Sequence, residues 1–161
     1  MPEPIRVRSA GPADVETFLT LVDALADYEK LDRPTPEARE RLLRDAFGPN
    51  PRIQVHLLER EGRAVGYTIT LETYSSFLAL PTLYLEDLFV LPEARRLGVG
   101  RAAFRFLAGE ALRRGCGRME WQVLDWNQLA IDFYEELGAR RLSQWYTYRL
   151  TADELREISG E

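Results

Sequence analysis

An apolar strand, a glycine-containing turn and an amphipathic helix follow one another between Leu83 and Ala111. The strand pattern runs from Leu83 to Leu91, and only Glu86 and Asp87 interrupt its apolar residues. After Gly100, apolar side chains recur at helical spacing, at Ala103, Phe104, Leu107 and Ala111. Because a strand that leads through a short turn into a helix is the building unit of α/β domains, this stretch favours that fold class.

The remaining patterns extend the same architecture along the chain. Alternation and helical spacing predict, in order, a strand at 5–8, helices at 12–29 and 35–47, strands at 53–58, 64–74 and 83–91, a helix after residue 100, a strand at 119–123 and a helix at 128–137. We expect two short strands after Gly138, the second rich in aromatic residues, and a capping box at Thr151 and Glu154 that starts a last helical turn. The sequence therefore predicts an α/β fold with a central mixed sheet, and we expect residues 1–161 to form a single domain.

The overall composition excludes several functional classes. The net charge of −5 argues against a nucleic-acid partner, although it suits a cationic small substrate. No stretch approaches the ~20 apolar residues that cross a membrane, and residues 1–6 lack a secretory pattern. Cys116 is the only cysteine, so an intrachain disulfide is impossible, in agreement with a cytoplasmic protein.

The turn before the third predicted helix has the chemistry of a phosphate site. The N-terminus of a helix carries unpaired backbone N–H groups and a partial positive charge. Gly98 and Gly100 let the backbone approach an oxygen closely, and Arg95 and Arg96 add positive charge. A plain tight turn is the alternative interpretation.

Two other nucleotide motifs fit this turn less well. A Walker loop needs Gly-Lys-Ser or Gly-Lys-Thr, which the sequence lacks. A dinucleotide fingerprint is closer, since Gly98, Gly100 and Ala103 have its spacing and Asp125 follows. That fingerprint places its first glycine directly after the strand, however, whereas residues 92–97 intervene here.

The same residues resemble the GNAT superfamily of N-acetyltransferases. Arg95-x-x-Gly98-x-Gly100 is similar to its Arg/Gln-x-x-Gly-x-Gly/Ala signature. The strings Leu85 to Arg95 and Asp125 to Ala139 resemble the branch that contains the diamine (spermidine/spermine) and thialysine acetyltransferases. The resemblance implies a mostly antiparallel, twisted sheet flanked by helices, acetyl-CoA as co-substrate, no metal, and a homodimer.

The resemblance also implies which residues bind the cofactor. It assigns the pantetheine arm to the strand before the turn and to Asn127 with the residues that follow it, and it assigns the pyrophosphate to the turn. The implied cofactor-binding residues are Leu88, Phe89, Val90, Arg95, Arg96, Leu97, Gly98, Val99, Gly100, Arg101, Asn127 and Tyr134.

Amine acetylation needs an acid and a base; the resemblance supplies a candidate for the acid, and the chemistry of the acceptor suggests one for the base. Tyr134 would lie beside the cofactor's sulfur, where a phenol can protonate the departing thiolate. A free alkylamine of pKa about 10.4 is almost wholly protonated at pH 7, so a base is useful, and Glu86 is the candidate. Adjacent strand residues point to opposite faces, so we expect Glu86 and Asp87 to diverge. The alternative for Tyr134 is a packing role without catalysis, and the alternative for Glu86 and Asp87 is a solvated acidic pair without a function.

The predicted acceptor site combines aromatic and acidic residues. Tyr28 and Glu29 resemble a polyamine-binding pair of the same branch, and we add Glu86, Asp87 and Trp145 to the substrate-binding residues. Lys30 and Arg33 bring positive charge beside this pair, and the segment 140–145 is short. A lysine analogue, a short diamine or an amino-acid side chain therefore fits at least as well as a polyamine.

Two further hypotheses for the function remain open at this point. A non-catalytic acyl-CoA sensor would keep the turn without the acceptor site, and an acetyltransferase acting on an amino acid or peptide amine would differ only in its acceptor. His56, the only histidine, has no metal-binding or triad pattern around it. Cys116 lies between glycines, where packing is expected rather than covalent catalysis.

Overall fold

The computed structural model describes residues 4–161. Residues 1–3, on which the absence of a secretory pattern partly depends, lie outside the described part. The chain divides into two compact units, one reaching to Gln122 and one covering Val123–Glu161. No helix in the described chain is long and apolar enough to cross a membrane.

The first unit contains the sheet, which has five strands within the described residues. They are β1 (Arg6–Ser9), β2 (Gln54–Arg60), β3 (Arg63–Ser75), β4 (Leu80–Val90) and β5 (Arg118–Trp121), and they lie side by side in chain order. The first four pair antiparallel, whereas β4 and β5 pair parallel. The prediction of a mixed, mostly antiparallel sheet is confirmed.

Three helices of the first unit connect and cover these strands. They are α1 (Val15–Glu29), α2 (Pro36–Phe47) and α3 (Val99–Arg113). Thr35 caps α2, with its Oγ1 accepting from the backbone N–H of Ala38 at 3.2 Å. The helix α1 ends where Lys30 adopts a left-handed conformation (φ 58°).

The sheet buries a different apolar cluster on each face, as alternation along its strands requires. One cluster consists of Phe18, Leu21, Val55, Leu57, Tyr67, Ile69 and Phe89, with side chains of α2 packed against it. The other consists of Leu58, Val65, Ala94, Val99 and Ala103. The strand β4 contributes Phe89 to the first cluster, while Leu88 packs against the second. Therefore β4 is fixed from both sides, which makes it a rigid support for the charged residues it carries.

The second unit contains two helices, α4 (Gln128–Glu136) and α5 (Ala152–Ser159). The two strands predicted after Gly138 are wrong, because residues 140–150 contain neither strand nor helix and are exposed throughout. Aromatic residues favour strands when they pack on a half-buried pleated surface, and these side chains have none. The capping box at Thr151 is confirmed, but α5 extends for eight residues rather than one turn.

Candidate active site

A β-bulge in β4 shapes the centre of the candidate site. Ile69 of β3 pairs with Asp87, whereas the next residue, Thr70, pairs with Leu85, so Glu86 is the extra residue. Both Glu86 and Asp87 line the same cavity. Our expectation that they point to opposite faces is therefore wrong, because the bulge breaks the strict alternation on which it rested.

The cavity has a volume of about 500 Å³ and lies on the sheet face that α1 and α2 cover. Its lining combines apolar side chains with three carboxylates and one guanidinium: Val22, Leu42, Asp45, Arg52, Ile53, Ile69, Leu71, Glu86 and Asp87. A cavity of this size holds a small molecule, and the excess of carboxylates favours a cationic one.

Asp87 is the carboxylate most changed by its surroundings. Its Oδ2 accepts a hydrogen bond from the hydroxyl of Tyr67 at 2.8 Å. Burial raises the pKa of Asp87 to about 6, the hydrogen bond from Tyr67 acts against that rise, and the charges of Glu86 and Glu29 add to it. The carboxyl therefore titrates close to neutral pH, as suits a group that handles protons or binds a cation.

The C-terminal end of α1 brings Tyr28 and Glu29 to this region, as predicted. Burial raises the pKa of Glu29, and its charge acts on both Asp87 and Tyr67. The ring of Tyr28 lies 6.2 Å from that of Phe89, measured between centroids. Of the five predicted substrate-binding residues, Glu86 and Asp87 thus line the cavity, whereas Tyr28 and Glu29 lie at the end of α1 and do not line it.

The positive charge of Arg33 is engaged by acidic residues of α1. Its guanidinium makes a bidentate pair with Asp27, with Nη2 2.6 Å from Oδ2, and lies 3.9 Å from Asp23. Because these carboxylates offset its charge, Arg33 should repel a polycationic acceptor less than the sequence alone suggests.

The glycine turn has the backbone shape of an anion site. Arg96 and Gly98 both adopt left-handed conformations, with φ of 61° and 85°, immediately before α3 begins at Val99. A left-handed conformation is strained for a residue that has a side chain, as Arg96 does. Such strain concentrates at functional positions. The first N–H groups of α3 have no partner inside their helix and are suited to bind a phosphate. The side chains of Arg96, Leu97 and Arg101 are exposed.

Arg95 joins this turn to the acceptor side of the site. Its Nε donates to the Val90 carbonyl at 2.9 Å, and its guanidinium carbon lies 4.4 Å above the centre of the Tyr28 ring. These contacts occupy the side chain that the sequence offered to a pyrophosphate, and the cation–π contact links the turn to the end of α1.

Within the described residues, the pairing of β4 with β5 ends at the bulge. The strand β5 pairs with β4 only as far as Trp121 opposite Leu85, while β4 continues to Val90. An extended ligand arm can hydrogen-bond to such a strand edge in the way a strand does. The predicted pantetheine-binding residues Leu88, Phe89 and Val90 all lie in this continuation.

The second unit carries the three other predicted site residues. Asn127 caps α4, with its Oδ1 accepting from the N–H of Ala130 at 3.3 Å. Tyr134 lies in the last turn of the same helix, partly buried, with its ring 5.6 Å from that of Phe133. Trp145 lies in the irregular segment and is 76% exposed.

Neither His56 nor Cys116 belongs to the cavity around Asp87. His56 is buried beside a second cavity of about 220 Å³, and burial lowers the pKa of its imidazole. Cys116 is also buried, and burial raises the pKa of its thiol, which makes it a poor nucleophile.

Sequence reasoning missed Tyr67. Its side chain is fully buried in β3, and burial raises the pKa of its hydroxyl. A tyrosine in the middle of an apolar strand needs a hydrogen-bond partner, and the acidic pair of β4 was the obvious source. Only the register between β3 and β4 identifies which acid it contacts. Tyr67 pairs with Phe89, and Asp87 pairs with Ile69, two residues further along β3.

Comparison with known proteins identifies this arrangement. The sequence profile of the acetyltransferase (GNAT) family matches residues 18–139. The chain is 34% identical to thialysine N-epsilon-acetyltransferase of Sus scrofa over 168 residues, covering 98% of each protein. It is 42% identical to L-ornithine N5-acetyltransferase of Arabidopsis thaliana over 93 residues, which cover 58% of this chain and 41% of that protein.

Among solved structures, an integron cassette protein from the mobile metagenome of V. cholerae has the same fold. It superposes with a TM-score of 0.82 over 99% of both chains, at 19% sequence identity. The family resemblance read from the glycine turn and its neighbours is therefore confirmed. The chain belongs to the acetyltransferase (GNAT) family and is an N-acetyltransferase.

Proposed function

We propose that this enzyme transfers an acetyl group from acetyl-CoA directly to a terminal primary amine of a small, lysine-like acceptor or short diamine. The observation that carries the proposal is the acidic cavity at the β4 bulge. Glu86 and Asp87 both line it, and the pKa of Asp87 is raised to about 6. The relatives named for thialysine and ornithine support an acceptor of this kind, since each is an amino acid with a side-chain amine.

For the donor, we propose that the left-handed turn and the first N–H groups of α3 bind the pyrophosphate. The residues from Arg96 to Arg101 form this cradle through their backbone. The edge of β4 at Leu88, Phe89 and Val90 is the proposed site of the pantetheine arm, and the family resemblance assigns Asn127 to the same arm. Acetyl-CoA supplies the thioester carbonyl that the amine attacks.

On the acceptor side, Asp87 binds the incoming ammonium and Glu86 removes its proton, directly or through water. This division suits their environments, because Asp87 is held by Tyr67 whereas Glu86 is exposed and can exchange protons with solvent. Tyr28 and Glu29 complete the acceptor site, and Trp145 is a further proposed contact.

Tyr134 is the proposed acid that protonates the departing thiolate of coenzyme A. The ordinary pKa of a phenol, about 10, is only about 1.5 units above that of a thiol, so a fixed phenol can give its proton to the sulfur as the tetrahedral intermediate collapses, and solvent then returns a proton to the phenolate. No acyl-enzyme is needed, and the buried Cys116 thiol is poorly suited to form one.

The proposal is tested by following free thiol release from acetyl-CoA with lysine, thialysine, ornithine, short diamines, spermidine and peptides. We expect turnover with the small amines, and Tyr134→Phe should lower kcat by about 100-fold while acetyl-CoA affinity is kept. Tyr74→Phe removes a hydroxyl from a side chain that is 67% exposed and has no proposed role, and it is the matched control. Tight acetyl-CoA binding without turnover on any amine would refute the acceptor proposal.

We further propose a cytoplasmic homodimer. Large apolar side chains are exposed at the β3–β4 hairpin and in the irregular segment, including Phe77 (100%), Tyr146 (83%) and Tyr148 (90%), and a second copy could cover them. Light scattering during size-exclusion chromatography will give a dimer mass if this holds and about 18.5 kDa if it does not. Cell fractionation tests the location.

A further inference from the structure

We propose that Tyr67 is a positioning residue for the transfer reaction. Its hydroxyl fixes one oxygen of Asp87, so that the other oxygen is left to receive the ammonium of the acceptor. This inference rests on the proposed function, and it concerns a residue that does not itself contact the substrate.

The geometry makes Tyr67 a rigid donor. Its side chain is fully buried, and its ring meets that of Phe18 edge-on, with centroids 5.6 Å apart. From this fixed position the hydroxyl reaches Asp87 Oδ2 at 2.8 Å. A buried phenol held by packing cannot turn away to water, so it orients the carboxylate as well as pairing with it.

The remaining Asp87 oxygen, Oδ1, belongs to a side chain that lines the acceptor cavity. A carboxylate has about four acceptor sites, and one phenol occupies only one of them. The contact therefore leaves most of the hydrogen-bonding capacity of Asp87 for a ligand while it restricts rotation of the carboxylate.

Charged groups on four segments act on Asp87 or line the cavity that it faces. Glu29 at the end of α1 and Glu86 on β4 favour the protonated form, as burial does. Asp45 of α2 and Arg52, which precedes β2, also line the cavity, with opposite charges. The hydrogen bond from Tyr67 favours the ionised form, so its loss should shift ionisation of Asp87 to higher pH.

Tyr67→Phe tests the proposal, because it removes only the hydroxyl. We expect KM for the amine to rise about ten-fold at pH 6.5, with KM for acetyl-CoA unchanged. The rise should shrink to roughly three-fold at pH 8.5, where Asp87 is ionised in both enzymes. The acid limb of kcat/KM for the amine should move to higher pH. A purely structural defect would be independent of pH and would affect both substrates.

Thr68→Val is the matched control on the same strand. Thr68 is fully buried, and its Oγ1 has no hydrogen-bond partner within the described residues, so its hydroxyl can be removed without breaking a contact. We expect its pH profile to match that of the unaltered enzyme.

A double-mutant cycle separates positioning from folding. In an Asp87→Asn background, Tyr67→Phe should change the amine KM by less than about two-fold, because its target is already altered. A full effect in that background, or a Tyr67→Phe enzyme with unchanged amine KM and pH profile, would overturn the proposal. If the unaltered enzyme acetylates no amine, the proposed function fails instead.

Discussion

The β4 bulge and the glycine turn that follows β4 differ in which part of the chain forms the candidate site, side chains at the bulge and backbone at the turn. At the bulge, the side chains of Glu86 and Asp87 line the cavity, and Tyr67 holds one of them. At the turn, the candidate anion site consists of backbone groups, namely those of the left-handed residues and the first N–H groups of α3. We therefore expect specificity for the acceptor to depend on side-chain identity, and binding of the donor to depend on backbone conformation.

This difference predicts distinct responses to mutation. At the bulge, exchange of a single carboxylate should alter recognition of the amine and leave the donor untouched. At the turn, loss of a charged side chain should matter little, while a change that strains the backbone should weaken donor binding.

Asp87→Asn should have the largest effect. We expect kcat/KM for the amine to fall about 100-fold, mainly through KM, because a charge-assisted hydrogen bond is replaced by a neutral one. The affinity for acetyl-CoA, measured by calorimetry, should not change. Asp153→Asn, at a side chain that is 96% exposed, is the control.

The comparison of Asp87→Asn with Glu86→Gln separates their proposed roles. Glu86→Gln should lower kcat more than it raises the amine KM, because the base is lost while the ammonium site remains. If instead Asp87→Asn lowers kcat with KM unchanged, Asp87 is the base and the assignment is reversed.

Stability should respond to Asp87→Asn in the opposite direction from activity. The pKa of Asp87 is about 6 in the folded protein against an ordinary 3.8, so between these pH values the native state binds more protons than the unfolded state. The contribution of Asp87 to stability therefore falls as pH rises through this window. Asp87→Asn should raise the free energy of unfolding by about 3 kcal/mol at pH 7.5 and leave it unchanged at pH 3.5.

Urea denaturation at these two pH values measures that difference. A variant that is less stable than the unaltered enzyme at pH 7.5 would show that burial of the Asp87 charge is not costly.

At the turn, Gly98→Ala should weaken acetyl-CoA binding by about ten-fold, because a left-handed conformation costs an alanine roughly 1–2 kcal/mol. A Cβ at this position would lie 3.7 Å from Ile5 Cδ1, an ordinary contact, so the effect comes from the backbone. Gly62→Ala, at the left-handed β2–β3 turn (φ 72°), carries the same strain away from the site. Equal acetyl-CoA affinity in the two variants would contradict a specific role for the Gly98 turn.

Arg96→Ala should have the smallest effect. Its side chain is exposed, so loss of its attraction for phosphate should weaken acetyl-CoA binding about three-fold at low salt and less at high salt. Arg105→Ala, an exposed arginine further along α3, is the control. A 100-fold loss at Arg96 would mean that side chains, not the backbone, bind the pyrophosphate.

The sequence predicted most of the first unit because its local signals agree with its burial. The strand β4 is apolar on both sides because both of its faces are covered, and Thr35 caps α2 by local geometry alone. Similarly, the Glu61-Gly62 pair has the left-handed conformations of a tight hairpin (φ 54° and 72°).

The failures share one physical cause, which is dependence on a distant partner. The bulge at Glu86 follows from the β3 register, and no pattern within β4 reveals it. The contact of Tyr67 with Asp87 joins residues 20 positions apart. In the second unit, the aromatic segment around Trp145 has strand composition but no pleated surface to pack on.

The most direct test of an acidic acceptor site is a competition among amines at equal concentration, with the products identified by mass spectrometry. The enzyme, acetyl-CoA, lysine, thialysine, ornithine and spermidine should yield chiefly a lysine-like acceptor acetylated on its side-chain nitrogen, and Asp87→Asn should lose this product while still binding acetyl-CoA. Formation of no acetylated small amine, or equal product from the Asp87→Asn enzyme, would contradict the acceptor site at the β4 bulge.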